Sequence, residues 1–242
     1  MSGLLKPISK NMLWLLAVAC FFVPASDLRS EEDIPPGPKV YMGRTIANTM
    51  HWKGAGWLTR KERELEESAA LMIKQLQLKK GQVVADLGCG NGYHTLTMAT
   101  LVGESGVVWG SDIQPEMLEM LQKRAAAAEL SNIKPVQGTL VDPKLPEGKL
   151  DLILMVDVYH EFSHPEQMLA KIRGALKPDG RVVFLEYRAE DKTVPIRPLH
   201  KMSKEQLNKE VLANGFKLVK EFDDLPWQHM MFYSPDPAFK AE

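Results

Sequence analysis

The most constraining feature of this chain is the passage from Val83–Leu87, a short apolar run, into Gly88, Cys89, Gly90, Asn91 and Gly92. Glycines at that density let the backbone turn sharply and approach a ligand closely. The residues that follow, with Leu96, Ala99 and Val102 at helical spacing, open a helix whose first N–H groups face whatever lies above the loop. A strand, a glycine loop and a helix in that order form a βα unit, which predicts an α/β fold with a parallel sheet and a ligand at the carboxyl ends of its strands.

The rest of the chain repeats this alternation. Strands are predicted at Val107–Trp109, near Ile133–Val136, at Leu150–Val156 and at Arg181–Glu186, and a terminal pair at Phe216–Phe222 and Gln228–Tyr233. Leu150–Val156 is almost continuously apolar, as expected of a strand covered on both faces. Helical stripes are Met117, Leu121 and Ala125 behind Pro115; Met168, Ile172 and Leu176; and Leu207 and Val211 behind a Ser203/Gln206 cap. An earlier helix is predicted from Thr59, capped with Glu62, carrying Leu65, Ala69, Met72 and Leu76 and stopped at Gly81. Five strand-then-helix units closed by an antiparallel hairpin give a doubly wound, mostly parallel sheet of seven strands.

With 45% hydrophobic and 25% charged residues among 242, the chain can bury a full core in one main domain. The net charge of −1 provides no field for nucleic acid. Two cysteines, Cys20 and Cys89, make neither a disulfide framework nor a metal-binding pair. Residues 1–25 read as an export signal: Lys6 and Lys10 precede an apolar run from Met12 to Val23, then Pro24, Ala25 and Ser26. That run falls short of the roughly 20 residues of a membrane-spanning helix. Periplasmic or secreted location after cleavage is the expectation, with lipid attachment at Cys20 as the alternative. Residues 26–40 form an acidic, proline-rich linker, 41–67 a lid segment and 68–235 the main domain.

The loop's spacing discriminates between cofactors. A dinucleotide fingerprint needs a third glycine where Tyr93 stands, and here that glycine falls at Gly92. About 20 residues further on, Asp112 is placed to accept both hydroxyls of a ribose. Asp86, just before the loop, is placed for an ammonium, which dinucleotides lack and S-adenosylmethionine has. The stretches VVADLGCGNGYHT, SDIQPEML, VQGTLVDPKLP and LDLILMVDVYHEF resemble, in order and spacing, the motifs of class I S-adenosylmethionine-dependent methyltransferases, with a Rossmann-like fold. The resemblance implies that Gly88, Gly90 and Gly92, with Asn91, line the methionine part, that Asp112 meets the ribose and that Ile113 packs on adenine. After Gly138 stands Thr139, with the nearest acid at Asp142; either can meet the adenine. Asp157, at the end of the fourth strand, joins the cofactor-binding set.

His160-Glu161-Phe162-Ser163-His164 spells the H-E-x-x-H pattern of zinc hydrolases, which requires a helix. These residues follow a strand and precede Pro165, so a metal site of that kind is not expected. As part of a methyltransferase the same segment lies beside the methyl group. His160 is the candidate general base, with Tyr159 and Glu161 as helpers; the alternative is that Tyr159 packs and His160 caps a loop. The lid segment carries His51, Trp52, Trp57, Arg44, Arg60 and Arg63, and a second insert, Tyr187 to Lys201, adds Arg188, Arg197 and His200. They are expected to enclose a small, anionic acceptor, or else to form solvated surface. Methyl transfer to a small molecule is the leading function, with a non-catalytic exported binding module as the alternative.

Overall fold

The computed structural model describes residues 34–240, so the expected export signal and most of the expected linker lie outside the described residues. The chain enters through a hairpin of β1 (Val40–Tyr41) and β2 (Arg44–Thr45), then a 3-10 helix, Trp52–Thr59. Helices α1 (Arg63–Glu67) and α2 (Ala69–Leu76) lead to the main sheet. That sheet is laid down as β3 (Val83–Leu87), α3 (Tyr93–Val102), β4 (Val107–Asp112), α4 (Pro115–Ala127), β5 (Ile133–Gln137) and β6 (Leu150–Val156). It continues with α5 (Pro165–Ala175), β7 (Leu176–Tyr187), α6 (Lys204–Ala213), β8 (Phe216–Phe222) and β9 (Gln228–Pro235). The seven strands lie in the order β5-β4-β3-β6-β7-β9-β8, parallel except for β9, which runs antiparallel to both its neighbours. The order reverses between β3 and β6, so the crevice of a doubly wound sheet opens at the carboxyl ends of these two strands.

Burial follows the pleat. Ile153 and Met155 of β6 pack with Phe184, Tyr233 and the inner faces of α5 and α6. Leu152 and Leu154 point the other way, to Met72 and Leu76 of α2 and Met98 and Val102 of α3. Both faces of β6 are therefore dry, as its continuous apolar run predicts.

Three expectations need correction. The helix expected from Thr59 to Gly81 is two short ones, α1 and α2: Ser68 between them takes a left-handed conformation (φ 50°), Gln77 ends the second in another (φ 52°), and Leu65 is 83% exposed. Thr59 caps nothing, and its hydroxyl turns back to the Gly56 carbonyl. Side-chain ties from Arg63 and Glu67 override the hydrophobic periodicity here. Second, no helix follows β5; residues 138–149, punctuated by Gly138, Pro143, Pro146 and Gly148, return to β6 as an irregular loop. The units of strand then helix number four. Third, Pro178-Asp179-Gly180 is a register shift inside β7, with Leu150 opposite Leu176 and Leu152 opposite Arg181, so Leu176 belongs to the strand.

Candidate functional site

The carboxyl ends of β3, β4, β5 and β6 open onto one cavity of about 560 Å³. Gly88 and Gly90 form its floor, both with positive φ (72° and 52°). A side chain at Gly88 would collide with Val158 Cγ2, and one at Gly90 would meet Leu58 Cδ1 at 2.5 Å. Glycine is thus required for the β6 end and the lid to close on the loop. Gly92, the N-cap of α3, does not line the cavity; its missing side chain makes room for Leu121. Asn91 also faces away, donating to the Ala55 carbonyl (3.1 Å) and accepting from Arg124 (2.9 Å), so it ties lid to loop.

Asp112 lines the cavity at the end of β4. Its Oδ2 accepts the Gly90 N–H and its Oδ1 the Gln114 N–H, both at 2.9 Å. These bonds aim the carboxylate and leave each oxygen a further lone pair. Burial raises its pKa, against those backbone bonds. Ile113, Gly138 and Thr139 line the same end. Thr139 rather than Asp142 lines the cavity; the Thr139 hydroxyl accepts the Asp142 N–H at 3.1 Å, while the Asp142 carboxylate faces Lys144 and Lys171.

Asp86 is buried beneath the loop and not among the cavity residues; its Oδ2 accepts the Thr95 hydroxyl at 2.6 Å. Burial pushes it up to about 6, opposed by that hydrogen bond. The carboxylate that does reach the cavity is Asp157, just past β6, in a left-handed conformation (φ 53°). Its Oδ2 accepts from Gln228 Nε2 at 2.7 Å, and its Oδ1 is buried with no partner. Burial, together with the nearby Glu67 and Glu186, raises its pKa well above the carboxylate range. An unpartnered carboxylate oxygen in an enclosed space is costly unless a ligand donates to it.

Glu67 of α1 and Tyr187 at the end of β7 stand beside it. Glu67 accepts from Arg60 and Arg63, each at 2.6 Å, and from the Tyr187 hydroxyl at 2.8 Å. Glu67 and Gln228 escape a reading of the sequence, because the first sits in an apparently regular amphipathic helix and the second in a strand pattern.

His160 also lines the cavity, in a single 3-10 turn, Tyr159–Glu161. The Glu186 carboxylate lies 2.6 Å from Nδ1 and can only accept, so Nδ1 carries the proton and Nε2 points onward, 3.1 Å from His200 Nδ1. Burial lowers the His160 pKa, but the charge and hydrogen bond of Glu186 more than offset it. Glu161 lines the cavity, pushed up to about 7 by burial against the pull of His160. Tyr159 does not reach the cavity: its hydroxyl donates to Glu210 at 2.8 Å and its ring packs edge-on to Phe162 and Phe184. His164 is turned away, with Nε2 on the Pro35 carbonyl at 2.8 Å, so the H-E-x-x-H residues do not converge.

Of the two inserts, Trp57, Arg60, Arg63, Arg197 and His200 reach the cavity wall. Arg44 is paired instead with buried Glu210, and Arg188 holds the carbonyls of the turn before β9.

A family model described as a methyltransferase domain matches residues 78–230. The demethylmenaquinone methyltransferase of Lactobacillus johnsonii is 32% identical over 115 residues, 47% of each chain. A ubiquinone/menaquinone biosynthesis C-methyltransferase of Citrobacter koseri is 32% identical over 111 residues, 46% of this chain and 44% of that one. The chain thus spans about half the length of the curated relatives it matches. Among solved structures, an S-adenosylmethionine-dependent methyltransferase from Aquifex aeolicus superposes with a TM-score of 0.72 at 20% identity, covering 76% of this chain and 98% of that one.

Proposed function

Because the chain belongs to the methyltransferase domain family, we propose that it transfers a methyl group from S-adenosylmethionine to a small, largely apolar acceptor bearing an oxygen, bound against His160. The observation that carries this reading is one cavity holding Gly88, Gly90, Asp112 and the unpartnered Oδ1 of Asp157. Asp112 receives the ribose hydroxyls, Ile113 and Thr139 border the adenine, and Asp157 takes the ammonium for which Asp86 is too deeply set. S-adenosylmethionine, when bound, supplies a methyl group on an electrophilic sulfonium. The chain's task is then alignment and exclusion of water. Met50, Leu58, Phe162 and Ile196 line the space apolarly, while Arg197 and His200 offer positive or hydrogen-bonding groups to an acceptor oxygen. His160, held in one tautomer by Glu186, accepts that oxygen's proton at Nε2. The quinone-ring chemistry named for the relatives supports an acceptor of ring size with oxygen substituents.

Calorimetry with S-adenosylmethionine, followed by incubation with labelled cofactor and a reduced naphthoquinone lacking the ring methyl, tests the reading. Saturable binding and labelled quinol are expected. Absence of binding at millimolar cofactor defeats it. Binding with no label transferred, to the quinol or to any fraction of a cell extract, favours the non-catalytic module instead.

A further inference from the structure

His160, Glu161 and His200 come from two separate 3-10 turns, Tyr159–Glu161 after β6 and Pro198–His200 in the insert between β7 and α6. His160 Nε2 lies 3.1 Å from His200 Nδ1 and 3.9 Å from Glu161 Oε1, and the latter two atoms are 3.7 Å apart. A triangle with those sides has its equidistant point about 2.1 Å from every corner, the length of a bond from zinc to imidazole nitrogen or carboxylate oxygen. Two unlinked backbone segments have brought three donors to the spacing of one small cation.

The surroundings are those of a metal ligand set. Glu186 grips the far nitrogen of His160 at 2.6 Å, the carboxylate–histidine arrangement that fixes a ligating imidazole's tautomer. Glu161 Oε1 is oriented by the Met50 N–H at 3.2 Å. The His160 side chain is 2% exposed and that of Glu161 10%, whereas His200 is 31% exposed and leaves an entry path. We propose that His160 Nε2, Glu161 and His200 Nδ1 bind a first-row divalent transition-metal ion whose open position faces the cavity and receives an oxygen of the acceptor. Two histidines and one carboxylate with an open position suit such an ion. The site shares two residues with the H-E-x-x-H pattern, but its third ligand is His200, forty positions away, in place of His164. With the ion present, His160 Nε2 no longer takes the acceptor's proton: the metal would lower the hydroxyl's pKa and hold the oxygen as an anion, the proton leaving to solvent past the partly exposed His200. Only this role rests on the proposed function; the binding claim stands apart from it.

The test uses the full chain, stripped with a chelator and titrated with Co²⁺ while visible absorption is followed. One ion per chain at micromolar affinity or tighter, with ligand-field bands and displacement by Zn²⁺, is expected. His200→Ala, a change at a half-exposed site, should weaken Co²⁺ by about 100-fold or more, and Glu186→Gln by about 10–100-fold. His164→Ala should leave Co²⁺ affinity unchanged. A wild-type circular dichroism spectrum and unfolding midpoint identify folded variants. No saturable Co²⁺ binding below millimolar, or stoichiometric binding that survives His200→Ala in a folded variant, overturns the proposal. Cobalt binding without cofactor binding keeps the metal site and removes methyl transfer; cofactor binding without cobalt does the reverse.

Discussion

Asp112 and Gly90 are joined by one hydrogen bond, from the Gly90 N–H to Oδ2, so that the carboxylate proposed for the ribose and the glycine loop hold each other in place. Asp112→Ala removes both acceptors and frees the loop. Charged hydrogen bonds contribute about 1.5–3 kcal/mol each, so S-adenosylmethionine affinity should fall by about 10–100-fold, read by calorimetry with circular dichroism confirming the fold. Unchanged affinity would mean that the ribose lies elsewhere. Gly90→Ala acts differently. At φ 52° its methyl costs roughly 1–2 kcal/mol in backbone conformation, and at 2.5 Å it displaces Leu58 from the loop. Lower unfolding midpoints together with a more open lid are expected, seen as faster hydrogen exchange in 52–59. Both residues are legible in the sequence because the backbone itself demands them. Whether a carboxylate beside the loop points into the cavity or beneath it is not legible, which is why Asp86 and Asp157 exchange places in the account of the ammonium.

The strands are legible to within a residue or two at β3 and β6, because runs buried on both faces admit little else, and at β8, whose alternation marks an edge strand covered on one face. The segment before β3 is not, since its shape is set by partners far along the chain. A five-residue helix such as α1 has no stability of its own in water. It is held by Glu67, whose carboxylate gathers Arg60, Arg63 and, from 120 positions away, Tyr187. Glu67→Ala leaves the buried Arg63 guanidinium without its carboxylate while Arg60 keeps Glu66, a loss on the order of 3–5 kcal/mol for a broken buried pair. The loss should be local: amide exchange should rise across 52–67 while β3, β6 and β7 stay protected, and cofactor affinity should drop with the lid. Exchange rising equally throughout the sheet would show that α1 is integral to the core. The three-residue turn carrying His160 and Glu161 likewise has no periodicity to betray it, though its residue types did.

At the scale of the whole molecule, the carboxyl edge of the sheet concentrates acidic groups whose ionisation the fold opposes. Asp86, Asp112 and Asp157 all have raised pKa values, with burial as the first cause in each case. For an acid raised on folding, the native state binds more protons than the unfolded chain between the two pKa values, so its contribution to stability declines as pH rises through that window. For Asp86 the window runs from about 4, the ordinary aspartate value, to about 6. Asp86→Asn preserves an acceptor for the Thr95 hydroxyl and removes the titration. The stability of the wild type relative to this variant should therefore fall between pH 4 and pH 7, by on the order of 2–3 kcal/mol. Urea unfolding of both proteins across that range measures it, and other titrating groups cancel in the difference. A difference that rises with pH would mean that Asp86 is held as an anion against its burial.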